Sequence, residues 1–315
     1  MTSFKKYFLY RFKSNYLQLT IITAIAVIVM MLCRNSYDYY EAEKLVLINI
    51  VTNWLCFIMP MLEMARFKNR RNMDTILSLP VSRTKIALAH LLNGYIQIAI
   101  PLTVCTVISL ILLNSPEAEN YPWQVLLNYV VLLPMSALIY GFYSFIFMQA
   151  NSVVDGVITQ TMSVFAISIV LDGVMMACIN VVGTGYYDGI YSFLLFSPVD
   201  IVGKMLFSPD AKIEKIEIAA TVILAVMGMA AIWGCLKSFN KIKAEKIGGI
   251  SDSIIGYKTL IPLYAFFLSA ANWGWLILIA AFIGYAIFRR GVKFTKGDIV
   301  CLVVTLALQL IFNNI

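Results

Sequence analysis

The stretch Arg66-Phe67-Lys68-Asn69-Arg70-Arg71-Asn72-Met73-Asp74-Thr75-Ile76-Leu77-Ser78-Leu79-Pro80-Val81-Ser82-Arg83-Thr84-Lys85 is a polar island in an apolar chain. It lies between two strongly apolar runs, 45–65 and 85–113, so one compact charged element stands between two segments of membrane length. Asn69 or Asn72 fits the cap of a short helix, and Asp74 then falls near its positive N-terminal end. Met73, Ile76 and Leu77 recur at i, i+3, i+4, one apolar stripe opposite Arg70 and Arg71. Pro80 lacks an N–H and disfavours helix at Leu79, while Ser82 suits the cap of the next helix, so the chain breaks and restarts between Leu79 and Arg83. On physics alone this amphipathic helix either lies on anionic lipid or docks a partner protein.

Outward from that island, the composition excludes an ordinary soluble domain: 61% of 315 residues are hydrophobic, 13% are charged, and mean hydropathy is +0.83. The expected fold is all-α, a polytopic transmembrane helical bundle. Apolar runs place crossings at about 17–33, 45–65, 85–113, 124–148, 156–182 and 217–236, with a further group at 256–270, 273–288 and 298–313. The close pair 256–288 fits one long helix, a tight spanning hairpin or a re-entrant one. With the N-terminus in the cytoplasm and this pair as a hairpin, nineteen Lys and Arg lie inside against five outside. A single pass would put Arg289, Arg290, Lys293 and Lys296 outside, against the positive-inside rule, so nine crossings are expected. Topology accounts for the net charge of +7, and no nucleic acid is needed to explain it.

Residues 1–16 read as an interfacial helix on the cytoplasmic surface, because Phe4, Lys5, Lys6, Phe8, Arg11, Phe12 and Lys13 alternate basic and aromatic faces. The outer loops 34–44 and 114–123 are short, with Tyr37, Tyr39, Tyr40, Tyr121 and Trp123 as interfacial anchors. Residues 183–216 are apolar but cut by Pro198, Asp200 and Gly203, which suggests short helices dipping back into the outer leaflet. Residues 237–257 form a basic cytoplasmic linker and 258–315 the C-terminal transmembrane segments.

Three carboxylates fall at membrane depth, where a charge costs roughly 2.5–3.5 kcal/mol on insertion scales. Glu63 lies within a turn of Arg66 and close to Lys68, which fits an ion pair or a transport role. Asp155 sits at a short inner turn and fits a helix cap; Asp172 lies well inside the fifth run, near Gln160, and fits a cavity wall, a subunit interface or a buried hydrogen bond. Asn49, Thr52 and Asn53 make a polar stripe that faces the same cavity or glues helices together. The weak substrate-path set is thus Asn49, Asn53, Gln160 and Asp172. A lone histidine, His90, six scattered cysteines and no Gly-x-x-x-x-Gly-Lys-Ser/Thr leave no catalytic residue, no metal site and no nucleotide site to expect in this chain.

The run Arg71-Asn72-Met73-Asp74-Thr75-Ile76-Leu77-Ser78-Leu79-Pro80-Val81-Ser82-Arg83, with Gly94 and Pro101 downstream, resembles the cytoplasmic coupling segment of ABC-2 type permeases of ATP-binding cassette transporters. Lys237-Ser238-Phe239-Asn240-Lys241-Ile242-Lys243-Ala244-Glu245-Lys246-Ile247-Gly248 is similar to the basic stretch after that family's sixth crossing. The pattern covers residues 1–250 and looks closest to large permeases of Gram-positive antibiotic-stress and acetoin-utilisation operons. Family members often carry an aromatic residue or His before Ser-Leu-Pro, where Ile76-Leu77 stand here. The resemblance implies an ABC-2-type six-helix core over 17–236, a coupling helix at 66–80, and extra C-terminal segments. It implies docking of a cytoplasmic ATPase through Arg70, Arg71, Met73, Asp74, Ile76, Leu77, Ser78, Leu79, Pro80, Ser82 and Arg83. It also implies a second permease, identical or paralogous, membrane lipid around both, ATP and Mg on the ATPase alone, and a place in the bacterial cell membrane. The other classes open are an ion-coupled secondary transporter and a membrane assembly scaffold.

Overall fold

The computed structural model describes residues 3–34, 41–112, 121–166, 215–240, 242, 245, 247–249, 251, 253–270, 275–289 and 291–312. The expected re-entrant segment 183–216 up to residue 214, most of both outer loops, and Asp172 lie outside them. Every regular element among the described residues is a helix. The chain divides into two compact units, Met1–Met148 with Leu195–Glu245, and Gln149–Leu194 with Lys246–Ile315.

In the first unit α1 (Ser3–Ser14) leads into α2 (Tyr16–Arg34) through a bend of 52° at Asn15. Then come α3 (Glu41–Met64), a 3-10 turn (Ala65–Lys68), α4 (Arg70–Leu77), α5 (Arg83–Leu112), α6 (Tyr121–Gln149) and, later in the chain, the helix Lys215–Phe239. The 30-residue α5 is the central post, packed against α1, α2, α3 and the helix Lys215–Phe239. It rises about 45 Å, more than the roughly 30 Å of hydrocarbon. Ala26, Met30 and Cys105 close the seam between α2 and α5, and Ile48, Leu102, Val125 and Leu132 close that between α3, α5 and α6. Pro60, Pro101 and Pro134 sit inside α3, α5 and α6. Beside Pro134, Tyr95 Oη and Ser136 Oγ both donate to the Leu133 carbonyl at 2.8 Å, and the Tyr95 bond ties α5 to α6. Helices meet closely where side chains vanish: a Cβ on Gly228 would stand 2.7 Å from Leu138 Cβ and 3.0 Å from its carbonyl oxygen.

The second unit holds α7 (Val153–Ala166), with the helix Lys215–Phe239 of the first unit counted as α8, followed by α9 (Tyr257–Ala270), α10 (Leu276–Arg289) and α11 (Lys296–Phe312). The segment 256–288 is two helices, so the single long helix among the expected alternatives is excluded. The Tyr257 ring at the start of α9 lies 5.4 Å from that of Phe288 at the end of α10, so the pair runs antiparallel as a hairpin. Each helix has 14 residues and rises about 21 Å, short of a full hydrocarbon width. At the start of α11 the Thr295 N–H donates to Asp298 Oδ2 at 2.8 Å, and Arg289 grips both Asp298 oxygens at 3.0 and 3.1 Å. Single cysteines at the exposed Lys258 and Lys293, in a chain whose native cysteines are replaced, are expected to react from the same face of the membrane. Labelling from opposite faces would break the hairpin.

Among the described residues three helices are long and apolar enough to cross a membrane: Ile48–Lys68, Arg83–Ile111 and Val125–Gln149. The bent pair α1 and α2 makes a fourth if taken as one span. The expected break between Leu79 and Arg83 is present, and Asn69, not Asn72, is the cap of α4, its side chain accepting from the Arg71 N–H at 3.1 Å.

Candidate functional site

The chemistry of the first unit gathers on one carboxylate, Glu63, fully buried one turn before the polar island. Arg11 donates to its Oε2 at 3.0 Å and His90 Nδ1 approaches the same oxygen at 3.2 Å. Asn93 and Gln97 donate to Oε1 at 3.1 and 2.8 Å, and Asn15 donates to it as well. Five donors on two oxygens fill the acceptor capacity of a carboxylate. With its proton on Nδ1, His90 donates to Glu63 and accepts from Tyr7 Oη, 2.9 Å from Nε2, so the imidazole joins α1 to α3 without adding charge. Arg11 then supplies the positive charge a buried carboxylate requires. Gly94 keeps the space open, since a Cβ there would lie 2.1 Å from Tyr140 Oη and 3.2 Å from Glu63 Cγ.

This corrects the expected pairing of Glu63 with Arg66 or Lys68. The chain leaves α3 in a 3-10 turn that swings both bases away. Arg66 donates to Asn15 Oδ1 at 3.1 Å, and Lys68 Nζ donates at 3.0 Å to the Met148 carbonyl in the last turn of α6, where the helix dipole favours a cation. The partners that do bind Glu63 left a trace in the sequence: His90, Asn93 and Gln97 recur at i, i+3, i+7 in an otherwise apolar run. What sequence spacing could not show is that Arg11 and Asn15 come from the far side of α2.

The polar island is clamped from behind. Arg83 donates to the carbonyls of Asn240 and Ile242 at 3.2 and 3.3 Å, just past the end of α8, and Arg70 donates to the Glu245 carbonyl at 3.4 Å. Phe67, buried, sits with its ring 4.5 Å from His90 and 4.7 Å from Phe239. Within the first unit, 66–83 is thus joined to the start of the second stretch singled out in the sequence, through Phe239, Asn240, Ile242 and Glu245. The motif glycine, Gly248, takes φ +81°, a backbone that L side chains rarely adopt.

Of the expected docking residues, Arg70, Arg71, Asp74, Ser78, Pro80, Ser82 and Arg83 are exposed, and Ile76, Leu77 and Leu79 are half-buried. Met73 differs: it is fully buried, so it anchors α4 to the chain itself and is not part of an outward face. Arg83, though exposed, donates to the carbonyls behind it. Asn49 accepts from Asn128 of α6 at 3.0 Å, which makes it helix-to-helix glue, whereas Thr52 bonds within α3, donating to the Ile48 carbonyl. Asn53 is buried with its Oδ1 lacking a hydrogen-bond partner, Gln160 is buried in α7, and Asp172 lies outside the described residues. Asp155 is not the expected cap: Ser152 caps α7 by accepting from the Asp155 N–H at 3.1 Å, and the Asp155 carboxylate accepts from Tyr257 Oη at 3.0 Å. Among the described residues no three His, Cys, Asp or Glu side chains come together as a metal-binding group. No protein-family model, no curated protein and no solved structure matches the chain.

Proposed function

We propose that this chain is the permease subunit of an ATP-binding cassette transporter of the ABC-2 type, a transmembrane subunit in the bacterial cell membrane with its N-terminus inside. It supplies an ABC-2-like six-helix core over 17–236 with further C-terminal transmembrane segments, pairs with a second permease, and docks a cytoplasmic ATPase through residues 66–83. ATP and Mg belong to that ATPase, and this chain is not itself an enzyme. The few charges at membrane depth suit export of an apolar or amphipathic cargo such as a peptide, lipid or antibiotic.

One observation carries the reading. The polar island is a short stiff element, half-exposed on one side and fixed on the other to the membrane helices through Met73, Phe67, Arg83 and the Glu63 cluster. A lever that converts a partner's motion into helix motion needs those two properties together. A helix resting on lipid needs neither the clamp to the end of α8 nor the buried carboxylate at its root.

The second reading, an ion-coupled carrier, draws on the same Glu63, because a buried carboxylate beside a histidine is a common proton relay. Here Arg11 neutralises it and the side chain has no exposed surface. The test is reconstitution in vesicles of the affinity-purified chain with the proteins that remain bound to it. Cargo movement that requires Mg-ATP and a co-purified ATPase supports the permease; movement driven by a pH gradient without ATP supports the carrier.

A further inference from the structure

We infer that the outward side of α1 is a binding surface for anionic phospholipid headgroups. The inference does not depend on the transporter reading. The 19 residues of α2 rise about 28 Å, close to the full hydrocarbon width, so α1, bent 52° away from it, falls at headgroup level. Half of the α1 circumference is turned out: Lys5, Lys6, Leu9, Tyr10 and Lys13 are exposed, with Tyr10 at 70%. The three lysines make no ion pair among the described residues, and the helix contains no acidic residue to neutralise them. Leu9 and Tyr10 stand between them, an aliphatic and an amphipathic side chain of the kind that sits at the membrane interface. The remaining basic residue, Arg11, is on the opposite arc and buried against Glu63, next to Tyr7 and Asn15. The helix thus divides its charge: one cation serves the protein interior and three serve the surface. Charge complementarity selects anionic over zwitterionic lipid, and a neutral lipid leaves α1 held by its inner face alone.

Three lysines at an anionic surface, each contributing about a fivefold factor, give an expected preference on the order of 100-fold for the bound state of α1. The experiment compares the full chain in nanodiscs of phosphatidylcholine with nanodiscs that also contain phosphatidylglycerol, reading hydrogen exchange over residues 3–14. Exchange of α1 is expected to slow by about 10- to 100-fold with phosphatidylglycerol, and this protection is expected to vanish near 1 M salt, where the Debye length falls to about 3 Å. The triple variant Lys5→Gln, Lys6→Gln, Lys13→Gln should lose the protection in anionic discs while matching the parent in neutral ones. Lys5→Arg, Lys6→Arg, Lys13→Arg should keep it. Equal exchange of the parent in the two lipids, the result expected if these lysines instead meet an acidic protein, overturns the inference; so does protection that survives in the glutamine variant.

Discussion

Glu63→Ala is expected to lower the stability of the folded chain by about 3–5 kcal/mol, because it leaves the Arg11 guanidinium buried with no counter-charge. The neutral donors of His90, Asn93, Gln97 and Asn15 lose their acceptor at the same time. The thermal midpoint of the purified protein in detergent should therefore fall steeply, together with the ordering of α1. Glu63→Gln should be milder, since one amide oxygen still accepts, although its NH2 then faces donors. Adding Arg11→Met to Glu63→Gln should recover part of the loss, because removing both charges avoids the unpaired one. A midpoint unmoved by Glu63→Ala would mean that the carboxylate is not what joins α1, α3 and α5.

The other large effect belongs to the outward edge of α4. Ile76→Ala with Leu77→Ala removes the two half-buried aliphatic side chains that remain once Met73 is turned inward. If they fill a groove of the ATPase, the loss is a few kcal/mol, 100-fold or more in affinity, on the scale of interface hot spots. The double variant should insert and fold as the parent does, yet no longer co-purify with ATPase activity or no longer couple it to transport. Met73→Ala is the contrast: at a fully buried position it should cost the chain about 2–5 kcal/mol of its own stability. A double variant that retains both ATPase recovery and coupled transport would remove residues 66–83 from the docking role. Attachment of the same helix to lipid predicts only a weakened local membrane contact.

Much of the architecture was legible because it is written in near-neighbour chemistry. An apolar run of membrane length, a proline without an N–H, and an asparagine before a helical stripe act within a few residues of themselves. Hence the all-helical character, the break between Leu79 and Arg83 and the hairpin at 256–288 followed from order and charge alone, and the cap of α4 was narrowed to Asn69 or Asn72. Asp155 shows the limit of that reasoning: it was expected as the cap, yet backbone geometry gave that role to Ser152, three residues earlier.

Which long side chains meet was decided only in three dimensions. Glu63 had two bases within five residues, yet its cation is Arg11, 52 residues away, because α1 folds back onto α5 while the 3-10 turn carries Arg66 and Lys68 elsewhere. Arg83, adjacent in sequence to a presumed docking helix, instead binds carbonyls 157 and 159 residues on, at the end of α8. Met73 shares its stripe with Ile76 and Leu77, but only packing determines which part of a stripe faces inward. A sequence fixes which faces are apolar and where charges lie along each helix. The pairing of those charges depends on which helices pack together and at what height, since a charge at membrane depth must be satisfied by whatever donor the packing brings to it.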